Sequence, residues 1–530
     1  MEQALALAVG HIAHWGDTDI FTYPIDNHLF FDRPSDVVAL LLKVHADFTN
    51  QLAEQPPISE GTLSLVGYTG FRWVTQIDPV WNAYFLGLVL ALADQIESAR
   101  LSPAEGAVFS YRYVPDLTSQ RLFEDGAWVN FQRRSLELAK THSHVLMCDI
   151  ADFYSRIYHH RLENALARLP SPDPYAGQVM RLLGQFSRNV SYGLPVGGPA
   201  ARILSELLLN NSDRLLKSQG FQFCRYADDY HIFASSIEEA YTALAFLSDA
   251  LYRNEGLSLA KAKTRILSTH EFATTSMFSD QAPTEAAEME AREFLGISLR
   301  FDPYSATAAD DYEQLKKEVN SYDIPGMLSR ELLKPRIHST LVRKLVRAVE
   351  FLTPGSQVAI VRSLADKLSV LAPILPSVLT ALRDLFRTGL TAETQDYVCE
   401  VLRNLVRSGS YLVRTDLVKS YVIRVLAQRN LPENEALLVE LFRDNGSPLV
   451  RRDIILAMAR WRAHYWLGDL KTRYQALHEW EKRAFLVSSF VLGDEGDHWR
   501  RYEKKRFSPY DELLLAWAEQ KHKTGWDLPL

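Results

Sequence analysis

Acidic residues stand at two places in this sequence where an uncompensated acid is costly. Val145 to Cys148 reads as an apolar strand that ends in Asp149, and a carboxylate at the end of a buried strand needs a partner or a metal. Alone, such an Asp would ordinarily cap a helix or sit in a loop. Further on, Asp228 and Asp229 are adjacent at a tight turn between Phe221 to Arg225 and Tyr230 to Ala234, two runs apolar and aromatic enough to pair as strands. Neighbouring buried carboxylates repel, raise each other's pKa and call for a cation. Two hairpin acids facing one from an adjacent strand make an oxygen-rich cage that suits Mg²⁺ or Mn²⁺. Two such ions activate a hydroxyl and stabilise a leaving pyrophosphate in phosphoryl transfer.

With these residues in place, Tyr226 to Asp229 resembles the [FY]xDD box of reverse transcriptases, and Asp149 to Tyr154 resembles their preceding D-x-x-x-x-[FY] segment. Between them Tyr192 to Pro199, with Gly193, Leu194, Pro195 and Gly197, resembles the family's G-L-P-x-G segment, followed by a helix over Ala200 to Leu215. Glycines there let the backbone approach template and incoming nucleotide closely. Leu257 to Thr264, with Lys261 and Lys263, resembles the palm lysine segment, and Phe294 to Gly296 the turn of the primer grip. The chain departs from the family pattern at Val196, Ala201 and Arg202, a departure that bears on template handling.

The resemblance implies roles for individual residues. Asp149, Asp228 and Asp229 are the catalytic metal ligands, with the Ile150 carbonyl as a further ligand to one of two Mg²⁺ (or Mn²⁺) ions. Tyr154 lies beneath the sugar of the incoming nucleotide and excludes a 2′-hydroxyl, which favours deoxynucleotides. Phe153, Gly193, Pro195, Gly197 and Lys263 complete the nucleotide site, the lysine neutralising the departing pyrophosphate. Among the upstream basic residues Arg112, Arg121, Arg133 and Arg134, Arg112 is the first choice for the triphosphate because it lies on the β-like run Val108 to Tyr113.

These residues need elements to position them. From Met1 to about Leu101 the pattern is helical, as in Val37 to Leu52 and Val80 to Ile96. Between Val108 and Leu299 short strand-like runs alternate with helical ones such as Ile203 to Gln219 and Ile237 to Asn254, an α+β pattern. After Tyr304 helices punctuated by Pro or Gly follow one another, among them Leu341 to Phe351, Gln357 to Leu371, Ser377 to Phe386, Gln395 to Arg407, Arg414 to Ala427 and Pro448 to Trp461. Pairs recurring at a loose spacing of about 35 to 45 residues predict an all-α repeat region of the HEAT kind, an irregular helical bundle being the alternative. The expected domains are a helical lead-in with fingers over 1–140, a palm over 141–303 and helical repeats over 304–530.

Composition sets bounds. The 530 residues carry a net charge of −7, which says little about nucleic acid because a polymerase needs positive charge only along one channel. Cys148, Cys224 and Cys399 lie far apart with no CxxC pair, so neither a zinc site nor a disulfide framework is expected, and a reducing cytoplasm fits. Met1-Glu2 is followed by no basic segment ahead of an apolar run, so no secretory or organellar targeting peptide is expected. The longest apolar run, Ala83 to Ala93, is too short to span a bilayer, and no membrane partner is expected. Integrase and ribonuclease H patterns are absent.

A palm fused to HEAT-like helices is similar to the bacterial abortive-infection and defence-associated reverse transcriptases. That resemblance implies anti-phage defence, synthesis without a template, homo-oligomers, and priming on a protein tyrosine, drawn from Tyr397, Tyr411, Tyr421, Tyr465, Tyr474, Tyr502 or Tyr510 with none singled out. The expected partners are deoxynucleoside triphosphates and a single-stranded DNA product. The alternatives are a polymerase templated by an associated RNA, and a degenerate palm serving as an interaction scaffold. Arg500, Arg501, Lys504, Lys505 and Arg506, interleaved with Trp499 and Tyr502, form either a nucleic-acid contact or a solvated helix face.

Overall fold

The computed structural model describes residues 1–170, 174–188, 190–275, 286–299, 308–525 and 528–530. The chain divides into two compact units, Met1–Gly61 with Trp73–Ala282, and Thr62–Arg72 with Pro283–Leu530.

The first unit is α+β. Its central helix, Pro79–Ala99, starts where the Asp78 carboxylate accepts the Val80 and Trp81 amides, with Pro79 at the first turn. The apolar stretch exceeds the Ala83 to Ala93 run read from sequence: this helix is long and apolar enough to cross a bilayer, but 78% of its most apolar window is buried inside the protein, where it packs against Glu2–Trp15. Gly87 makes that packing close, since a Cβ there would fall 2.5 Å from the Leu5 side chain.

Four antiparallel strands form the sheet that matters for chemistry, β5 (His144–Asp149), β6 (Gln222–Tyr226), β7 (Asp229–Ala234) and β8 (Arg265–Ser268), in the order β6-β7-β5-β8. Val145, Cys224 and Phe233 pack with Phe131 and Ala139 of the helix Ala127–Ala139, and Phe131 stacks on His231 at 4.6 Å. Three expectations change. A hairpin, β1 (Ser59–Val66) and β2 (Gly70–Ile77), interrupts the helical lead-in. Val108 to Tyr113 is no strand: Val108 makes a single parallel bridge to Arg225 and Tyr111 turns the chain at φ 46°. Regular pairing resumes only in β3 (Tyr113–Asp116) with β4 (Arg121–Phe123). β8 had no clear sequence signal.

In the second unit the regular elements among the described residues outside the hairpin tip are all helices. Ser339–Ala348, Leu375–Thr388, Asp416–Leu426, Pro448–Arg460, Glu479–Ser488 and Pro509–Lys523 each pack on the next, while Pro354–Asp366, Ala392–Arg407 and Pro432–Asp444 form a second row. This is the stacked-pair arrangement of a helical repeat. Inside it Asp453, fully buried, is held by Arg424 at 2.9 and 3.0 Å and by Arg452 at 3.2 Å. The hairpin tip Thr62–Arg72 counts with this unit: the Tyr68 hydroxyl donates to Val370 O and accepts from the Ile337 amide, both at 2.9 Å. The last residues strap back across the repeats, Leu530 O accepting from Arg387 at 2.6 Å and Gln428 at 2.9 Å, and Leu528 O from Arg460 at 2.8 Å.

Candidate active site

The β5–β7 register sets Asp149, the last residue of β5, directly opposite Asp229, the first of β7. Asp228 occupies the turn between β6 and β7 beside Ala227, whose φ of 52° is left-handed. A non-glycine residue pays about 1–2 kcal/mol for that conformation, so the surroundings must impose it. Arg225 does so in part, donating from Nη1 to Ala227 O at 2.9 Å. Backbone bonds lace three segments together here: Ile150 N to Asp228 O at 3.1 Å, Ala151 N to Ser258 O at 2.8 Å, and Ala260 N to Asp149 O at 2.7 Å. The hairpin tip, the strand end and the lysine segment therefore form one scaffold, as their order along the sequence predicts.

Burial, and then the charges of Asp228 and Asp149, push the Asp229 carboxyl up to about 7, with Lys263 pulling the other way. Lys263 Nζ donates to Asp149 Oδ2 at 2.6 Å. Among the described residues no three acidic, histidine or cysteine side chains are already gathered into a metal cage. The two observations reconcile: the acids are close enough to perturb one another, while an ammonium holds one of them. A group of three acids offset by one lysine is short of positive charge, and its donors are all hard oxygens, so the residues fit Mg²⁺ or Mn²⁺.

The glycine box clasps the strand end. Leu194 N donates to Tyr154 O and Gly193 N to Ile157 O, both at 2.8 Å, and the His159 ring meets Gly193 O at the same distance. Gly193, with Leu194 and Pro195 next to it in the chain, is thus tied to the segment from Tyr154 to His159 that follows Asp149. Both Gly193 (φ 97°) and Gly197 (φ 98°) use left-handed backbone. At Gly197 the close neighbours belong to the chain itself, a Cβ there falling 2.6 Å from Thr18 Oγ1 and 2.8 Å from Asp19 Oδ1. Phe153 is buried with its ring 5.1 Å from that of Tyr154, so it backs the expected sugar gate rather than lining a nucleotide site. The Tyr154 hydroxyl is enclosed beside Tyr111 and Ser205, and burial drives its pKa up.

Arg112 does not fit its expected role. Its guanidinium is buried and committed, Nε to Val108 O at 3.1 Å, Nη1 to Glu97 at 2.7 Å and Nη2 to Leu101 O at 2.8 Å, leaving nothing for a triphosphate. Of the other candidates, Arg121 lies over Trp15, Arg134 pairs with Glu137, and Arg133 is exposed. The cation beside Tyr154 is instead Arg202, which pairs with Asp19 at 2.6 Å and lies 5.2 Å over the Tyr111 ring. Its only sequence signal is its place as a departure from the family pattern.

Beneath the hairpin lies a network that sequence reasoning missed. Arg225, fully buried, pairs with Asp213 at 2.6 and 2.8 Å and with Glu206 at 2.9 and 3.2 Å. Glu206 also accepts from Arg100 at 2.6 Å and Ser110 at 2.5 Å. Elsewhere, Phe294 to Gly296 ends the helix Ala286–Gly296 in the second unit, where Lys344 donates to Leu295 O at 2.8 Å and lies over Phe294. In the basic C-terminal cluster Trp499 is buried against Tyr474 and Phe485, Arg500 binds Asp497 and Ser489, and Arg506 pairs with Glu503, while Tyr502 is exposed.

Residues 95–299 match the family described as Reverse transcriptase (RNA-dependent DNA polymerase). Similar solved structures include telomerase from Candida albicans in complex with a fragment of telomeric RNA, at 9% identity, 68% of this chain, 70% of that chain and a TM-score of 0.29. Apo telomerase from Candida tropicalis is similar at 10% identity, 73% of this chain, 72% of that chain and a TM-score of 0.31. No curated protein matches the sequence. By the family match the chain is an enzyme, a nucleotidyltransferase with an RNA-directed DNA polymerase domain.

Proposed function

We propose, from the reverse transcriptase domain over residues 95–299, that this chain adds deoxynucleotides to a DNA strand at the centre formed by Asp149, Asp228 and Asp229. The observation that carries the reading is the opposition of Asp149 and Asp229 across β5 and β7, with Asp228 on the adjoining turn. Two divalent cations, when bound by these carboxylates, supply activation of the attacking hydroxyl and stabilisation of the leaving pyrophosphate. The chain's own residues do the rest. Arg225 holds the turn through Ala227 O, so the two turn acids keep their aim. Tyr154, backed by Phe153, stands under the sugar. Arg202 rather than Arg112 supplies positive charge beside it, and Lys263 carries an ammonium between the acids and the departing phosphates.

The finer reading is a defence enzyme of the cytoplasm that acts as a homo-oligomer, synthesises without a template and primes on a tyrosine. The resemblance to abortive-infection reverse transcriptases supports it, and the three free, buried cysteines agree with a reducing compartment. Of the C-terminal tyrosines, Tyr411, Tyr465 and Tyr502 are exposed enough to accept a nucleotide, whereas Tyr474 and Tyr510 are buried.

The test is incubation of purified protein with Mg²⁺ and each labelled deoxynucleotide, with and without nuclease pretreatment, followed by denaturing gels before and after proteinase. A labelled protein-sized species that collapses to DNA size on proteolysis, survives nuclease pretreatment and is absent in Asp228→Asn establishes protein-primed, template-free synthesis. Incorporation only with added RNA and primer establishes a templated enzyme. No incorporation under any condition overturns the polymerase reading and leaves an interaction scaffold.

A further inference from the structure

A cavity of 560 Å³ in the first unit is lined by residues that none of the foregoing chemistry uses. Its walls come from four elements: the helix His159–Ala167 with the residues after it, the C-terminal part of Pro199–Ser218, the π-helical turn Leu251–Glu255, and Ala99 at the end of Pro79–Ala99. Arg161, Arg168 and Arg214 line it together with Asn210 and Asn211. Arg202, at the polymerase centre, and Arg214 lie twelve positions apart on one helix, roughly 18 Å along its axis, so this cavity is a separate place.

Among the described residues, its arginines differ from the buried arginines of the unit in having no acid partner. The buried arginines of this fold are matched to acids: Arg100 to Glu206, Arg225 to Asp213 and Glu206, Arg112 to Glu97. Among the described residues none of the three cavity arginines forms an ion pair. Arg161 donates to Arg253 O at 3.3 Å and Arg214 to Ala99 O at 2.6 Å, bonds that fix direction without cancelling charge. The one acid in the lining, Glu255, is buried, and burial raises its pKa against the pull of Asn211, Arg161 and Arg168. Three guanidinium groups converging on a concave surface with a single inward-held acid leave a positive field that an anion would neutralise.

We infer that this cavity binds the phosphate of a nucleotide, as a free nucleotide or as one phosphodiester of a single strand, at a second site outside the polymerase centre. Arginine is suited to phosphate because its planar donors meet two oxygens at once. The volume lies in the range of small-ligand sites, and Asn210 and Asn211 stand in the wall beside the arginines, the Asn211 amide donating to Glu255 at 3.3 Å. Asn210 is oriented by donation to Ala99 O at 2.9 Å, which leaves its side-chain oxygen without a hydrogen-bond partner in the wall.

The experiment is equilibrium binding to the full chain in a chelator, in the Asp228→Asn background, with inorganic phosphate, deoxyadenosine monophosphate and a fluorescent twelve-nucleotide DNA strand as probes. Arg168→Gln and the Arg161→Gln/Arg168→Gln pair are compared with the parent. The expected result is at least tenfold weaker binding in the double variant, a smaller loss in the single one, unchanged melting temperature, and steep weakening by salt. Monophosphate binding that the strand does not exceed identifies the free nucleotide as the source, and tighter strand binding that the monophosphate displaces identifies the phosphodiester. Equal affinity of parent and both variants for all three probes overturns the inference, as does absence of binding to the parent. Should the double variant melt early, the exposed single substitution Arg168→Glu decides on the same criteria.

Discussion

Asp453 in the helical repeats is a fully buried carboxylate and Asp229 in the palm a half-buried one, and their surroundings treat them oppositely. Around Asp453, burial alone would raise the pKa, but Arg424 and Arg452 outweigh it and hold the acid charged. Asp229 is pushed up to about 7 by the same burial, because its nearest charges are two more acids. Glu206 repeats the first case directly beneath the second, with Arg225 and Arg100 keeping it ionised against its burial. A buried acid matched by guanidinium groups holds the fold together, whereas one left among acids is suited to cationic chemistry. The palm stacks one kind immediately under the other.

Substituting the two aspartates is the sharpest way to break that contrast. Asp229→Asn lowers deoxynucleotide incorporation by roughly 10³ to 10⁴-fold, the scale of losing a residue of a catalytic unit, while the melting temperature of metal-free protein holds or rises because a repulsion disappears. Asp453→Asn does the reverse: denaturant titration shows a loss of about 3–5 kcal/mol, the cost of orphaning buried charge, while activity per folded molecule is kept. The pH dependence follows the lowered pKa of Asp453. Its contribution is complete above the ordinary carboxyl range and is lost only as pH falls through the depressed value, so the variant's deficit is constant from pH 5 to 8.

Arg225→Met probes the point where the two kinds of acid meet. It leaves Asp213 without a guanidinium partner and Glu206 with Arg100 alone, and frees Ala227 O, so stability falls by about 3–5 kcal/mol, and incorporation falls further than the folded fraction measured by circular dichroism accounts for. If activity tracks the folded fraction alone, the clamp on the turn has no catalytic consequence. The smallest effect is Ala227→Gly, where relief of left-handed strain, about 1 kcal/mol, is offset by the entropy glycine adds to the unfolded chain, about 0.5–1 kcal/mol. Thermal melts should differ little, and a fall in incorporation would then report looser aim of Asp228 and Asp229.

The three aspartates were legible in the sequence because their signal is local: a strand end, and two acids in one turn. The helical repeats were legible through their periodicity and through prolines at helix starts such as Pro354, Pro432, Pro448 and Pro509. Arg112 misled because residue type carries no information on burial, and its partners Glu97 and Leu101 lie on a different element. The Arg225 network was hidden for the same reason, its acids being brought from a different element, the helix Pro199–Ser218. The hairpin β1–β2 escaped notice because Ser59 to Ser64 is polar and glycine-containing, and pairing across the turn rather than side-chain pattern makes it a strand.

The strap formed by Leu528 and Leu530 has a consequence for how the repeat region comes apart. A stack of helix pairs that touch only their neighbours peels from its free end one pair at a time. Here Leu528 and Leu530, which follow the last described helix, are fastened to Arg387, Gln428 and Arg460, three places spread along the stack. Peeling the last helix first requires undoing bonds far from it, so amide exchange from about 375 to 523 should share one opening free energy, like a zipper whose slider has been sewn shut.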